Sequence, residues 1–264
     1  MNNVLAGLVE NTGVEKDNDF LGGFSCLETD VYDFVIEHAY VDKSDGEAAR
    51  VNFSLTGASN AKLRTTIYVS SGKAKGCKNT YEKKGKDGKM VTHYLPGFNQ
   101  VNALCYMTAG CSLAALAPTC ETKTLMLYNY DQKQEVATQV DMIMGIVGKT
   151  ITAAVLRQLE DKKTKNGSFD PNAPVSATNQ AYLPTGKSRE TNEVDKFFRT
   201  SDKLTFAEIS KGIAEPIFMT AWLEKWKGKD KDKTSKTGVV AGAPGAVPAG
   251  APAQAAAPLF ANQV

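Results

Sequence analysis

The chain reads as a mainly β protein with appended C-terminal helices, and three observations predict this. Segments between residues 32 and 69 alternate apolar and polar side chains with a period of two, the pattern of strands that present one face to a core. Clusters of Gly, Pro, Asn and Asp punctuate these segments as turns do. Helix start and stop signals are sparse before residue 200 and concentrate after it. With 264 residues and a hydrophobic content of 42%, the chain can build one large domain or two modest ones around a sizeable core.

Residues 1–28 are acidic and weakly patterned, with Glu10, Glu15, Asp17 and Asp19, and read as an N-terminal extension. The core domain is expected over 29–200. Its first strand runs from Tyr32 to Val41, with Tyr32, Phe34, Ile36, His38 and Tyr40 on one side and Val35, Ala39 and Val41 on the other. Asp42 to Gly46 is a turn. The second strand, Arg50 to Leu55, sets Val51, Phe53 and Leu55 against Arg50, Asn52 and Ser54. The third, Lys62 to Val69, points Leu63, Ile67 and Val69 inward and Lys62, Arg64, Thr66 and Tyr68 outward. After Pro96-Gly97, residues Phe98 to Thr108 predict a helix that ends at Gly110.

Leu125 to Tyr130 is expected as a fourth strand. Lys149 to Glu160 fits a strand or a helix, because Ile151, Val155 and Leu159 satisfy both periods; a fifth strand is the preferred reading. Residues 162–192 form a polar insertion rich in Lys, Asn, Pro, Ser and Thr. Two C-terminal helices occupy 201–227. Thr205-Phe206-Ala207-Glu208 fits a capping box, Gly212 stops that helix, and Pro216 can open the next, where Phe218, Trp222 and Trp226 share a side and Trp222 reads as core. Residues 228–264 are a basic linker followed by a Gly/Ala/Pro-rich tail without a charged side chain from Thr237 onward. That composition cannot form a core and reads as disordered, with Leu259 and Phe260 as a docking peptide for partner proteins.

A net charge of +2 argues little by itself, so its distribution matters more. Lys73, Lys75, Lys78, Lys83, Lys84, Lys86 and Lys89 crowd one segment, interleaved with Tyr81, His93 and Tyr94, between Ser70-Ser71-Gly72 and Pro96-Gly97. Cations follow phosphates and aromatic faces stack on bases, so a segment offering both can hold single-stranded nucleic acid. A solvated lysine loop is the competing reading. Lys62, Arg64 and Tyr68, on the outward face of the strand that leads into this segment, weigh toward binding.

Enzyme readings find no support. His38 reads as a core or edge histidine, and neither it nor His93 has a nucleophile at motif spacing. Gly148-Lys149-Thr150 and Gly186-Lys187-Ser188 resemble the end of a phosphate-binding loop, but Ile143 and Ala181 stand where its first glycine is required. The five cysteines, Cys26, Cys77, Cys105, Cys111 and Cys120, lack CxxC spacing, which fits a reducing cytoplasm and implies no metal or cofactor. No apolar stretch reaches the roughly 18 residues of a membrane span, and no export signal is evident.

The segments Ile67-Tyr68-Val69-Ser70-Ser71-Gly72, Ala74-Lys75-Gly76-Cys77-Lys78-Asn79, His93-Tyr94-Leu95-Pro96-Gly97-Phe98-Asn99, Thr185 to Glu193, and Trp222 to Trp226 resemble a family of bacteriophage single-stranded DNA-binding proteins. The resemblance spans most of residues 30–236. It implies a five-stranded oligonucleotide-binding (OB) barrel with a helix between its third and fourth strands, and a role in phage DNA replication, recombination or repair in the host cytoplasm. It also implies tail-mediated contacts with a phage polymerase, helicase or recombinase; a homodimer is left open. One departure stands out. Many single-strand binders end in an acidic peptide closed by an aromatic residue, and here Phe260 is present without the acids, so this tail cannot compete with DNA by charge. Two other functions fit the same sequence: a virion or scaffolding protein that binds through its tail, and a transcription cofactor that grips melted DNA and recruits an RNA polymerase.

Overall fold

The computed structural model describes residues 26–58, 61–129, 132–168, 176 and 179–234. The acidic residues 1–25 and the tail 235–264, Leu259 and Phe260 included, lie outside the described residues. The protein is mainly β. Strands β1 (Asp30–Lys43), β2 (Ala49–Gly57) and β3 (Lys62–Tyr68) form an antiparallel meander. A short hairpin, β4 (Thr80–Lys84) and β5 (Met90–Tyr94), forms a separate two-stranded sheet. Helices α1 (Pro96–Ala109) and α2 (Leu113–Leu116) lead to a second hairpin, β6 (Glu121–Asn129) and β7 (Gln134–Met142). A long third hairpin, β8 (Thr150–Lys165) and β9 (Tyr182–Phe198), precedes α3 (Phe206–Ser210), α4 (Ile217–Trp226) and the two-residue β10 (Lys231–Asp232).

Eight of these strands join in one open sheet, antiparallel except where β10 runs parallel to β8. The sheet is organised by β1, whose two edges are both occupied. β2 covers one edge from Phe34 to Lys43. The other edge is filled in turn by β8, by the turn at 143–149 and by β7, through Ile36 N to Lys149 O at 2.9 Å, Gly148 N to Ile36 O at 2.8 Å and Ile143 N to Ala39 O at 2.8 Å. Buried backbone groups require such partners, so β1 is held on both edges from Phe34 to Val41.

The expected alternation of β1 does not hold to its end. Phe34 and Ile36 are buried, but the next buried residue is Ala39, because the register with β2 shifts between Ile36 and His38. A β-bulge adds one residue to one strand and thereby exchanges its faces. His38 and Tyr40 consequently face away from the core and pair with Ser54 and Asn52 of β2.

Segment 149–160 is a strand, as preferred. Ile151 to Leu156 are all buried because β8 is covered on both faces. Ile151, Ala153 and Val155 join the main core with Phe34, Phe53 and Leu104, while Ala154 and Leu156 pack with Phe198 and Trp222 of a second cluster under α4. Strands buried on both faces lose alternation, which is why the sequence left helix and strand open. Much of the polar stretch 162–192 is paired backbone: β8 runs to Lys165, and Tyr182 to Asn192 belong to β9.

The predicted helix from residue 98 is α1, which ends at Gly110. The capping box of α3 is present in full, and Trp222 is buried at 4% exposure with its Nε1 donating to Asp195 Oδ2 at 2.7 Å. Among the described residues no single helix is long and apolar enough to cross a membrane.

Candidate nucleic-acid interface

The outward face of the meander is built by register. Across it, His38, Ser54 and Arg64 form one row, Tyr40, Asn52 and Thr66 a second, and Asp42, Arg50 and Tyr68 a third. Arg50 bonds Asp42 through two contacts of 2.6 and 3.0 Å, and this pairing holds its guanidinium pKa above the ordinary value. Burial and Asp42 push the Tyr40 phenol up, against the pull of Arg50 and Arg64. Thr66 Oγ1 donates to Asn52 Oδ1 at 2.7 Å, while Asn52 Nδ2 has no partner among the described residues. Tyr40 and Arg50 were not among the residues expected to bind. The three-residue step from Ile36 to Ala39 was the available signal for Tyr40.

Beyond Tyr68 the chain passes through Ser70-Ser71-Gly72 and a single 3₁₀ turn, Lys73–Lys75, into the β4–β5 hairpin. The expected lysine loop is therefore an ordered arm. Its base is tied by Lys73 N to Gly46 O at 2.8 Å, Ser71 N to Lys78 O at 2.7 Å and Leu95 N to Asn79 O at 2.8 Å. Its tip, Lys86-Asp87-Gly88, closes with Gly85 N to Lys89 O at 2.7 Å and places Gly88 at φ +81°, where a glycine meets no Cβ penalty. From Lys73 to Tyr94 no side chain is buried. The arm was invisible to a search for alternation because neither of its faces meets a core.

Between arm and sheet lies a cleft of about 1020 Å³, lined among others by Tyr68, Ser71, Lys75, Lys78, Tyr81 and Glu82. Of the thirteen candidate nucleic-acid residues, the cleft thus gathers Tyr68, Lys75, Lys78 and Tyr81. Tyr68 is 49% exposed and Tyr81 41%, so aromatic surface is open to a ligand. Lys62 and Arg64 lie further along the outward face of β3, and Lys83, Lys84, Lys86 and Lys89 lie along the arm and its tip. His93 sits beside Tyr81 with ring centroids 5.7 Å apart. Tyr94 stacks on Phe98 at 4.9 Å, which leaves one ring face for a base. Lys73 is drawn to Glu47 at 3.0 Å, but Lys75, Lys78, Lys83, Lys84, Lys86 and Lys89 have no carboxylate partner among the described residues.

No disulfide joins the cysteines, and Cys105, Cys111 and Cys120 pack in the same core cluster. Cys105 is buried in the main core, and burial, with Cys111 nearby, pushes its thiol up to about 12, which disfavours the thiolate. Among the described residues no cluster of His, Cys, Asp or Glu has the geometry to hold a metal ion. No family model matches the chain, and a search of curated proteins gives no match.

Proposed function

We propose that this protein binds single-stranded DNA with little regard to sequence and protects it during replication, recombination or repair of a phage genome in the host cytoplasm. The observation that carries this reading is the cleft beneath the arm. Exposed Tyr68 lines it with Lys75 and Lys78, Tyr81 borders it from β4, and Lys83, Lys84, Lys86 and Lys89 along the arm have no carboxylate partner among the described residues. Stacking on aromatic rings contributes about 1–3 kcal/mol per base, and it tolerates any base because all have a π-face. Cations on both sides would carry the phosphates past the rings.

Strand order supports kinship with an OB barrel. In this proposal β1, β2, β3, α1, β8 and β9 take the order of such a barrel, with its helix after the third strand; the expected fourth strand, Leu125 to Tyr130, then falls in β6 of an inserted hairpin, as β4–β5 is another, and 149–160 becomes the fourth strand instead of the fifth. Phe53 of β2 and Phe197 of β9 lie 6.2 Å apart between centroids, so the last strand reaches back toward the meander. The contacts with a replication polymerase, helicase or recombinase belong in this proposal to the tail with Leu259 and Phe260. A transcription cofactor would use the same DNA surface, and a polymerase pull-down separates it.

The test is fluorescence anisotropy of a labelled oligo-dT at low and moderate salt, with a duplex of equal length alongside. Tight, salt-sensitive binding to the single strand and weak binding to the duplex is the expected result. Equal binding to both, or none, overturns the reading.

A further inference from the structure

One wall of the cleft carries a carboxylate among lysines. Glu82 of β4 stands directly opposite Thr92 of β5, and both line the cleft together with Thr80. Alternation places Thr80, Glu82 and Thr92 on one face of the arm and Tyr81, Lys83 and His93 on the other. Glu82 is exposed and makes no ion pair or side-chain hydrogen bond with another described residue, although Lys78 lines the same cleft and Lys84 follows on the same face. A glutamate that served only solubility could point anywhere; this one faces the space in which the strand is proposed to lie.

An ionised carboxylate only accepts hydrogen bonds. It repels phosphate oxygens, which are also acceptors, and it attracts the N–H groups on base edges. In a single strand the Watson–Crick edge is free to be read. Guanine presents N1–H and an exocyclic amino group side by side, which match the two oxygens of a carboxylate. Cytosine and adenine each present one amino group. Thymine presents a single N–H between two carbonyl oxygens, which a carboxylate repels. The hydroxyls of Thr80 and Thr92 can donate or accept beside this contact.

The geometry points to a base-reading position inside the cleft, where Tyr68 takes the face of one base and Glu82 accepts from its Watson–Crick edge, with guanine preferred. This rests on the reading of the cleft as a single-strand site and adds to it. The backbone is held irrespective of sequence, while one base is selected.

The experiment measures anisotropy of the full chain and its Glu82→Gln variant on three single strands of equal length: alternating thymidine and deoxyguanosine, alternating thymidine and deoxyinosine, and oligo-dT. Inosine differs from guanine in lacking the exocyclic amino group. The parent protein should bind the guanosine oligomer at least about fivefold more tightly than the inosine oligomer, and the variant should reduce that ratio to within about twofold. Equal binding of guanosine and inosine by the parent protein overturns the inference. So does a variant that raises all three affinities by a common factor, which would make Glu82 a repelling charge and nothing more. Binding to none of the three, oligo-dT included, would instead remove the single-strand reading itself.

Discussion

Gly97 shows how one position couples the core to the interface. A Cβ built there would stand 2.1 Å from the Tyr68 carbonyl oxygen and 3.0 Å from Ile67 Cγ2, so the first turn of α1 can lie against the end of β3 only with glycine at this site. Gly97→Ala must displace β3 backbone, which cannot yield as a flexible side chain would. The expected cost is on the order of 2 kcal/mol. Thermal melting should show a lower Tm and anisotropy a weaker oligo-dT affinity, because Tyr68 moves with its carbonyl. Gly167→Ala, with nothing within 4 Å, serves as the neutral control. The sequence marked Pro96-Gly97 as a boundary but not as a close approach, since the atoms it approaches belong to β3. The outward placement of His38 and Tyr40 was hidden for a similar reason: a bulge adds a residue without changing residue types, and only the step from Ile36 to Ala39 betrays it.

Elements whose determinants are local were legible. The capping box of α3 needs only Thr205 and Glu208, and both reciprocal bonds form, Thr205 N to Glu208 Oε2 at 2.8 Å and Glu208 N to Thr205 Oγ1 at 3.2 Å. Glu208 also accepts from Phe218 N at 2.7 Å, which ties α3 to α4. Burial pushes the Glu208 carboxyl up, but the backbone N–H groups of Phe218 and Thr205 and the Thr205 hydroxyl outweigh it and hold the pKa below the ordinary value. Because the folded pKa lies below the unfolded one, the stabilisation is complete above the ordinary glutamate value of about 4.3 and is lost as pH falls toward the lowered value. The Tm should therefore drop between about pH 5 and pH 3, and Glu208→Gln should melt lower at neutral pH with a shallower acid slope. An unchanged slope in the variant would exclude this carboxylate as a source. The arm was legible as charge but not as structure. Replacing Lys83, Lys84 and Lys86 with Ala should reduce the slope of log affinity against log salt by about 2, as three phosphate contacts on a single strand require. A slope equal to that of the parent protein would place DNA elsewhere.

At the scale of the whole molecule, composition and alternation were enough for a mainly β protein with C-terminal helices, and the meander, α1 and β8 appear where they were expected. The sheet's assembly was not legible, because its decisive pairings join distant parts of the chain. β7 is largely polar and is recruited through Met142 and Asp141 to the end of β1, and β10 is two residues that lie along β8 at Gln158 and Leu159. Neither has a pattern of its own to read. The pairing of β1 with the distant β8 has a consequence for how the protein is made. Asp30 to Val35 bond to Thr150 to Val155, so during translation the meander waits with one edge of its central strand unpaired until more than half of the chain has left the ribosome. Non-local pairing of this kind is slow to form, and an unpaired edge is a template for the wrong neighbour. The nascent chain is thus most exposed to aggregation after β3 is complete and before β8 emerges.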